Sequence, residues 1–166
     1  MPLLFDASEA DLEGILAIFN DVIAKTTAVW REEPVMLQER RTWMQSRQAQ
    51  GFPVLVAREG TSVLGFASFG EFRAPPGYRS TVEHTVHVRA DVRGTGIGGS
   101  LLQALLERAQ AQGRHVVVAG VDAESAVSLR LHKRLGFTEV GRFREVGRKF
   151  DRWLDLVFLQ RLLVPP

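Results

Sequence analysis

The chain has 166 residues, 45% hydrophobic and 24% charged, with a net charge of +2. This suits one globular domain over residues 1–166 and is too weakly basic to argue for nucleic acid. There is no cysteine, no apolar run near the roughly 18 residues of a membrane span, and no secretory leader pattern in Met1 to Ala10, so disulfides, thiolate metal sites, cysteine nucleophiles and membrane partners are excluded and a cytoplasmic protein is expected.

Leu3 to Phe5 reads as a short strand. Ser8-Glu9-Ala10-Asp11 resembles a capping box and opens a helix with Leu12, Ile15, Leu16, Phe19, Val22 and Ile23 on one face. A loop carries Thr26, Thr27 and Trp30, and Pro34 suits the first turn of a second helix reaching about Gln48. Val54 to Arg58 and Val63 to Phe69 read as strands joined by a turn at Gly60-Thr61-Ser62. A loop from Arg73 to Arg79 leads to a strand over Val82 to Val88 and a helix over Gly98 to Gln112. A buried strand follows at Val116 to Val121, then a helix from Ser125 to Leu135, stopped by Gly136. Two strands finish the chain, Thr138 to Phe143 and Trp153 to Leu159. The order βααβββαβαββ predicts an α/β fold with a mixed sheet.

Between strand and helix lies Arg93-Gly94-Thr95-Gly96-Ile97-Gly98-Gly99-Ser100. Glycines let backbone N–H groups converge on an anion, and the helix adds its positive end. The segment therefore reads as a pyrophosphate cradle. Its G-x-G-x-x-G form also fits a dinucleotide, with Asp122 where a ribose-binding acid would stand. Against that, Gly94 comes six residues after Val88, and only 67 residues follow Gly99.

Read as R-x-x-G-x-G, the loop resembles the acetyl-CoA loop of the GNAT acetyltransferases. Leu131-His132-Lys133-Arg134-Leu135-Gly136-Phe137 resembles that superfamily's segment after a helix. Phe19–Ile23, Thr26–Trp30, Phe69–Arg73, Thr81–Val86, Gly147–Phe150 and Trp153–Leu156 resemble the phosphinothricin and methionine sulfoximine N-acetyltransferases. The resemblance spans residues 19 to 160. It implies a GNAT-type, mostly antiparallel sheet flanked by helices. It also implies acetyl-CoA as cosubstrate, a homodimer, and a small amino acid analogue (methionine sulfone, methionine sulfoximine or phosphinothricin) acetylated directly on its α-amino group; no metal is expected, because no histidine has a carboxylate or histidine partner at ligand spacing. Other amines, peptide N-termini, an NAD-binding reductase and a non-catalytic acetyl-CoA sensor are the alternatives.

The resemblance also distributes roles. Glu83 is the candidate base, with His84 or a bound water as alternatives, and Thr85 continues the acceptor side. His132 is the candidate proton donor to the departing thiolate; an ordinary pKa near 6.5 suits transfer either way. Backbone groups of Val86, His87 and Val88 face pantetheine, and Arg93 to Ser100 hold the pyrophosphate. The His87 side chain reads as structural. Ser125 stands where relatives usually carry asparagine, and Ser128 and His132 share its helix face. Arg73, beside Ala74 and Pro75, is the candidate cation for the acceptor's carboxylate or head group, with Arg79 second. Thr27 and Trp30 wall the alkyl end, or Trp30 belongs to the core or a subunit contact. Asp151 replaces a glycine common in the family.

Overall fold

The computed structural model describes residues 2–164. Its elements are β1 (Leu3–Asp6), α1 (Leu12–Lys25), α2 (Leu37–Ala49), β2 (Val54–Glu59), β3 (Ser62–Glu71), β4 (Thr81–Val88), α3 (Ile97–Ala111), β5 (Val116–Asp122), α4 (Ala126–Arg134), β6 (Thr138–Lys149) and β7 (Arg152–Leu162). This is the predicted order. The seven strands form one sheet, β1-β2-β3-β4-β5-β7-β6. Every pairing is antiparallel except β4 with β5.

The capping box forms: the Asp11 carboxylate accepts from the Ser8 N–H at 2.8 Å and the Ser8 hydroxyl at 3.0 Å. A turn of 3-10 helix over Glu9–Asp11 then leads into α1. Ile18, omitted from the predicted face, is buried, while Leu16 is only half-buried. The second helix starts at Leu37, later than Pro34 suggested. The Asn20 side chain brackets Val35, accepting from its N–H at 2.9 Å and donating to its carbonyl at 3.0 Å. Val35 is thereby held outside the helix. The last two strands are longer than their alternation suggested. Irregular register near Glu139–Gly141 and Phe143–Gly147 breaks the two-residue period of β6, yet pairing with β7 resumes at Gly147 opposite Leu154.

Two apolar clusters pack the sheet faces. One joins α1 and α2 to Val54, Val56, Val63 and Phe66. The other joins α3 to Leu55, Ala57, Ala67, Val82 and strands β5 and β7. In α3, Leu101, Leu102, Leu105 and Leu106 are buried, each contributing about 1.5–3 kcal/mol. Alternation in β4 sends His87 to the α1/α2 face, against Phe19 and Phe66, and Val82, Val86 and Val88 to the α3 face. Glu83 and Thr85 share the parity of His87, and His84 that of Val82.

The feature that creates a site is the parallel pair. It covers only Thr81–Glu83 against Val116–Val118. Beyond Glu83, β4 pairs only with β3, as far as Val88 opposite Gly65, and β5 pairs only with β7, as far as Asp122 opposite Leu156. The sheet opens there, leaving the β5-facing edge of β4 without a strand partner.

Candidate active site

The glycine loop lies at the α3 end of this opening. Gly94 and Gly96 have φ of +80° and +94°, values that favour glycine. The loop is braced from within: Arg93 Nε donates to the Val88 carbonyl at 3.1 Å, and the Thr95 hydroxyl to the Val92 carbonyl at 2.7 Å. Gly96 caps α3, so the N–H groups of Ile97, Gly98 and Gly99 have no helical acceptor, whereas that of Ser100 bonds the Gly96 carbonyl at 3.0 Å. The Ser100 hydroxyl turns to the same carbonyl at 3.3 Å. A Cβ on Gly98 would only touch Val88 and Leu131 at ordinary contact distances. Packing tolerates a side chain there, so the glycines serve to keep the helix end bare. Bare N–H groups, the helix dipole and a nearby arginine fit a pyrophosphate.

On the α3/α4 face, β4 meets α4. His84 and His132 are both buried, their rings stacked at 5.1 Å with Nε2 atoms 3.0 Å apart. His132 Nδ1 lies 2.7 Å from the Ser128 carbonyl. A carbonyl only accepts, so Nδ1 carries the proton, Nε2 is the acceptor, and His84 Nε2–H donates to it. His84 Nδ1 is buried and unpartnered among the described residues. Burial lowers the pKa of both, His84 to about 3, with the charge of His132 a further cause for His84. Ser128 is half-buried with its hydroxyl 3.4 Å from His132 Nδ1; the half-buried Ser125 forms no side-chain cap to α4.

The opposite face carries Glu83. It is half-buried where the strands part, its Oε1 beside Gly120 of β5, where a Cβ would come within 3.4 Å. Burial raises its pKa, while the charges of Arg73 and Arg47 pull it down. Arg73 is exposed; its guanidinium lies 4.4 Å over the Phe72 ring and donates to the Phe72 carbonyl at 2.9 Å. Ala74, Pro75 and Thr85 are exposed. Arg79 donates within its own loop, to the Pro76 carbonyl at 3.2 Å. His87 is buried against aromatic rings, as a structural side chain would be, and its pKa falls to about 4 through burial and the charges of Arg40 and Arg93.

The loop with Thr27 and Trp30 is anchored by residues that the sequence reading gave no such task. The Thr27 hydroxyl donates to Asp122, whose other carboxylate oxygen accepts the Glu124 N–H at 3.1 Å. Asp122 is thus occupied as a structural acceptor, which removes it as a ribose ligand. The buried Lys149 Nζ donates to the carbonyls of Ile23, Thr26 and Val29 at 2.6–2.7 Å. The Trp30 ring lies on the backbone of Gly147, where a Cβ would collide with it, and its indole N–H donates to the Thr27 carbonyl at 2.9 Å. Arg47 of α2 is the other unforeseen neighbour of Glu83. Its sequence signal is the i, i+3, i+7 spacing of Arg40, Trp43 and Arg47 on one helix face.

An anion cradle at a helix start, an unpaired strand edge beside it and a half-buried carboxylate at the fork define a CoA-dependent acyltransferase. Residues 15–137 match the Acetyltransferase (GNAT) family. The chain is 54% identical over 161 residues to the L-methionine sulfoximine/L-methionine sulfone acetyltransferase of Pseudomonas paraeruginosa, covering 96% of this chain and 94% of that one. It superposes with a TM-score of 0.95 and 33% identity on a GNAT superfamily phosphinothricin acetyltransferase from Sinorhizobium meliloti in complex with AcCoA, covering 98% and 88%. It superposes equally well, at 0.95 and 46% identity, on a ribosomal-protein-alanine N-acetyltransferase from Brucella melitensis, covering 97% and 99%. The chain belongs to the GNAT acetyltransferase family and is an acetyl-CoA-dependent N-acetyltransferase. The dinucleotide reading of the glycine loop is set aside with the ribose role of Asp122.

Proposed function

We propose that this enzyme moves the acetyl group of acetyl-CoA to the α-amino group of a small amino acid with an oxidised head group, of the methionine sulfone, methionine sulfoximine or phosphinothricin kind. The observation that carries this reading is the placement of Glu83 at the fork between β4 and β5, under the charges of Arg47 and Arg73. A carboxylate suits the substrate's ammonium, and arginines suit its carboxylate and head group. The names of the Pseudomonas paraeruginosa and Sinorhizobium meliloti proteins agree with it.

In this reading the whole chain acts as one catalytic domain, by direct transfer in a ternary complex. Glu83, directly or through a water, removes a proton from the ammonium. The freed amine attacks the thioester carbonyl, the C–S bond breaks, and the thiolate leaves. Backbone N–H groups on the free edge of β4, from Val86 to Val88, stabilise the developing oxyanion. The pyrophosphate rests on residues 93–100, with Ser125 and Ser128 beside the cofactor. His132 stands on the α4 side as the candidate donor to the thiolate. Both its nitrogens are engaged, so donation requires an extra proton on the His84–His132 pair, which burial opposes.

The β6 edge supports the homodimer. It is twelve residues long and ends the sheet, and Val140, Phe143, Val146 and Trp153 are all more than half exposed around it. The same reading places the enzyme in the cytoplasm, where acetyl-CoA is available.

Thiol release from acetyl-CoA tests the acceptor class, because the cysteine-free chain adds no thiol background. The three named analogues, ordinary amino acids, polyamines and a peptide N-terminus form the panel. Turnover of the analogues is expected. Activity on the peptide alone would favour the acceptor named in the Brucella melitensis structure instead.

A further inference from the structure

Three side chains on one face of α2 look onto the acceptor side of the sheet. Arg40 is buried between the rings of Phe19 and Trp43, its guanidinium carbon 4.1 and 4.0 Å from their centroids. That sandwich accounts for Arg40. Arg47 is different. It is half-buried, 5.8 Å from the Trp43 centroid, and its guanidinium forms no hydrogen bond or ion pair with another described residue. Its counter-charge is Glu83, close enough for the two charges to act on each other yet not hydrogen-bonded to it, so the guanidinium keeps free donors.

Its guanidinium occupies space that Gly70 leaves open. That residue is buried in β3 directly opposite Glu83 in β4, so any side chain at 70 would project on the Glu83 face. A Cβ there would collide with the Arg47 guanidinium. Gly70 lacks a positive φ, so the turn chemistry of glycine gives no reason for it. What the glycine provides is room for Arg47 next to Glu83.

We propose that Arg47 binds the α-carboxylate of the acceptor, with Gly70 kept side-chain-free to let it do so. This rests on the acceptor class proposed above. In an α-amino acid the carboxylate is one carbon from the ammonium. The cation that holds it must therefore lie beside the base that serves the ammonium. Arg47 meets this requirement inside the fold, whereas Arg73 is exposed against Phe72 and suits the distal head group at the mouth. Arg47 is thus a specificity residue for α-amino acids over simple amines.

Steady-state kinetics with methionine sulfone and its decarboxylated amine, 3-(methylsulfonyl)propylamine, test this. Arg47→Met is expected to raise KM for methionine sulfone about 30-fold or more, the loss of one charge-assisted contact. KM for acetyl-CoA stays unchanged, and the penalty disappears with the amine. Gly70→Ala produces the same pattern by displacing the guanidinium, and Arg47→Lys restores part of the affinity. Equal losses on acid and amine, or no change in KM, would overturn the assignment while leaving the acceptor class intact. If the wild-type enzyme turns over none of the amino acid analogues, the acceptor class fails and the assignment falls with it.

Discussion

His84 Nε2 and His132 Nε2 stand 3.0 Å apart, and the Ser128 carbonyl at the far side of His132 fixes which of them donates. The chain of bonds needs both rings neutral. Burial enforces this, holding His84 at about 3, and His87 across the sheet is held at about 4. In the unfolded chain all three return to an ordinary value near 6.5. Above that pH neither state is protonated and nothing is lost. Below it the unfolded state takes up protons that the folded state refuses, so stability falls as pH falls. Each fully buried histidine contributes a slope of up to about 1.4 kcal/mol per pH unit. Urea unfolding between pH 7 and 4.5 is expected to show the midpoint dropping over this window. His87→Leu should flatten the dependence; an unchanged slope would contradict the burial of a neutral ring.

Glu83 gives the kinetic counterpart. Burial raises its pKa, and it serves as a base only when ionised. Turnover should therefore rise with pH through a value above 4.5. Glu83→Gln is expected to lower kcat about 100-fold and to abolish this acidic limb, with KM for acetyl-CoA unchanged. Removing a cation that pulls the pKa down, as in Arg73→Met, should move the limb to higher pH. A Glu83→Gln enzyme that keeps the limb would hand the base to another group.

The β6–β7 turn predicts a stability gain. Phe150 and Asp151 have φ of +51° and +59°, the left-handed values of a two-residue hairpin turn. Asp151 is fully exposed, and its side chain forms a 3.7 Å ion pair with Arg148. Exposed pairs of that length contribute little. Asp151→Gly should therefore stabilise by roughly 0.5–1 kcal/mol, and Asp151→Val should destabilise. Thermal melting of the two variants checks the sign.

Periodicity carried the element order, because α1, α3 and the central strands each bury one regular face. It failed where a tertiary contact overrode a local signal. Pro34 invites a helix start, but the side chain of Asn20 holds Val35 outside the helix. Irregular register hid half of β6. The glycine loop was legible because its chemistry is local, with the bare N–H groups adjacent in sequence. The acceptor side was legible only in part. Glu83 and Arg73 lie in recognisable segments, whereas Arg47 acquires meaning from Gly70, 23 positions away in the chain. Asp122 figured only in the disfavoured dinucleotide alternative, and nothing in its own segment shows Thr27 approaching.

Lys149 offers the sharpest test of how the fold supports the site. Its ammonium is buried and serves three carbonyls, those of Ile23 and Thr26 around the end of α1 and that of Val29 in the following loop. Helix ends leave such carbonyls without partners, and one cation here satisfies several at once. The same loop carries Thr27, tied to Asp122, and Trp30, seated on Gly147. Lys149→Met removes the donors but preserves much of the stem's packing. Buried carbonyls left unsatisfied cost about 1–3 kcal/mol each, so a loss of 3 kcal/mol or more in urea unfolding is expected. At temperatures where the variant stays folded, the displaced loop should raise KM for methionine sulfone while KM for acetyl-CoA holds, because the cradle at residues 93–100 lies on other elements. A parallel rise in both constants would mean that Lys149 supports the whole fold rather than the acceptor wall.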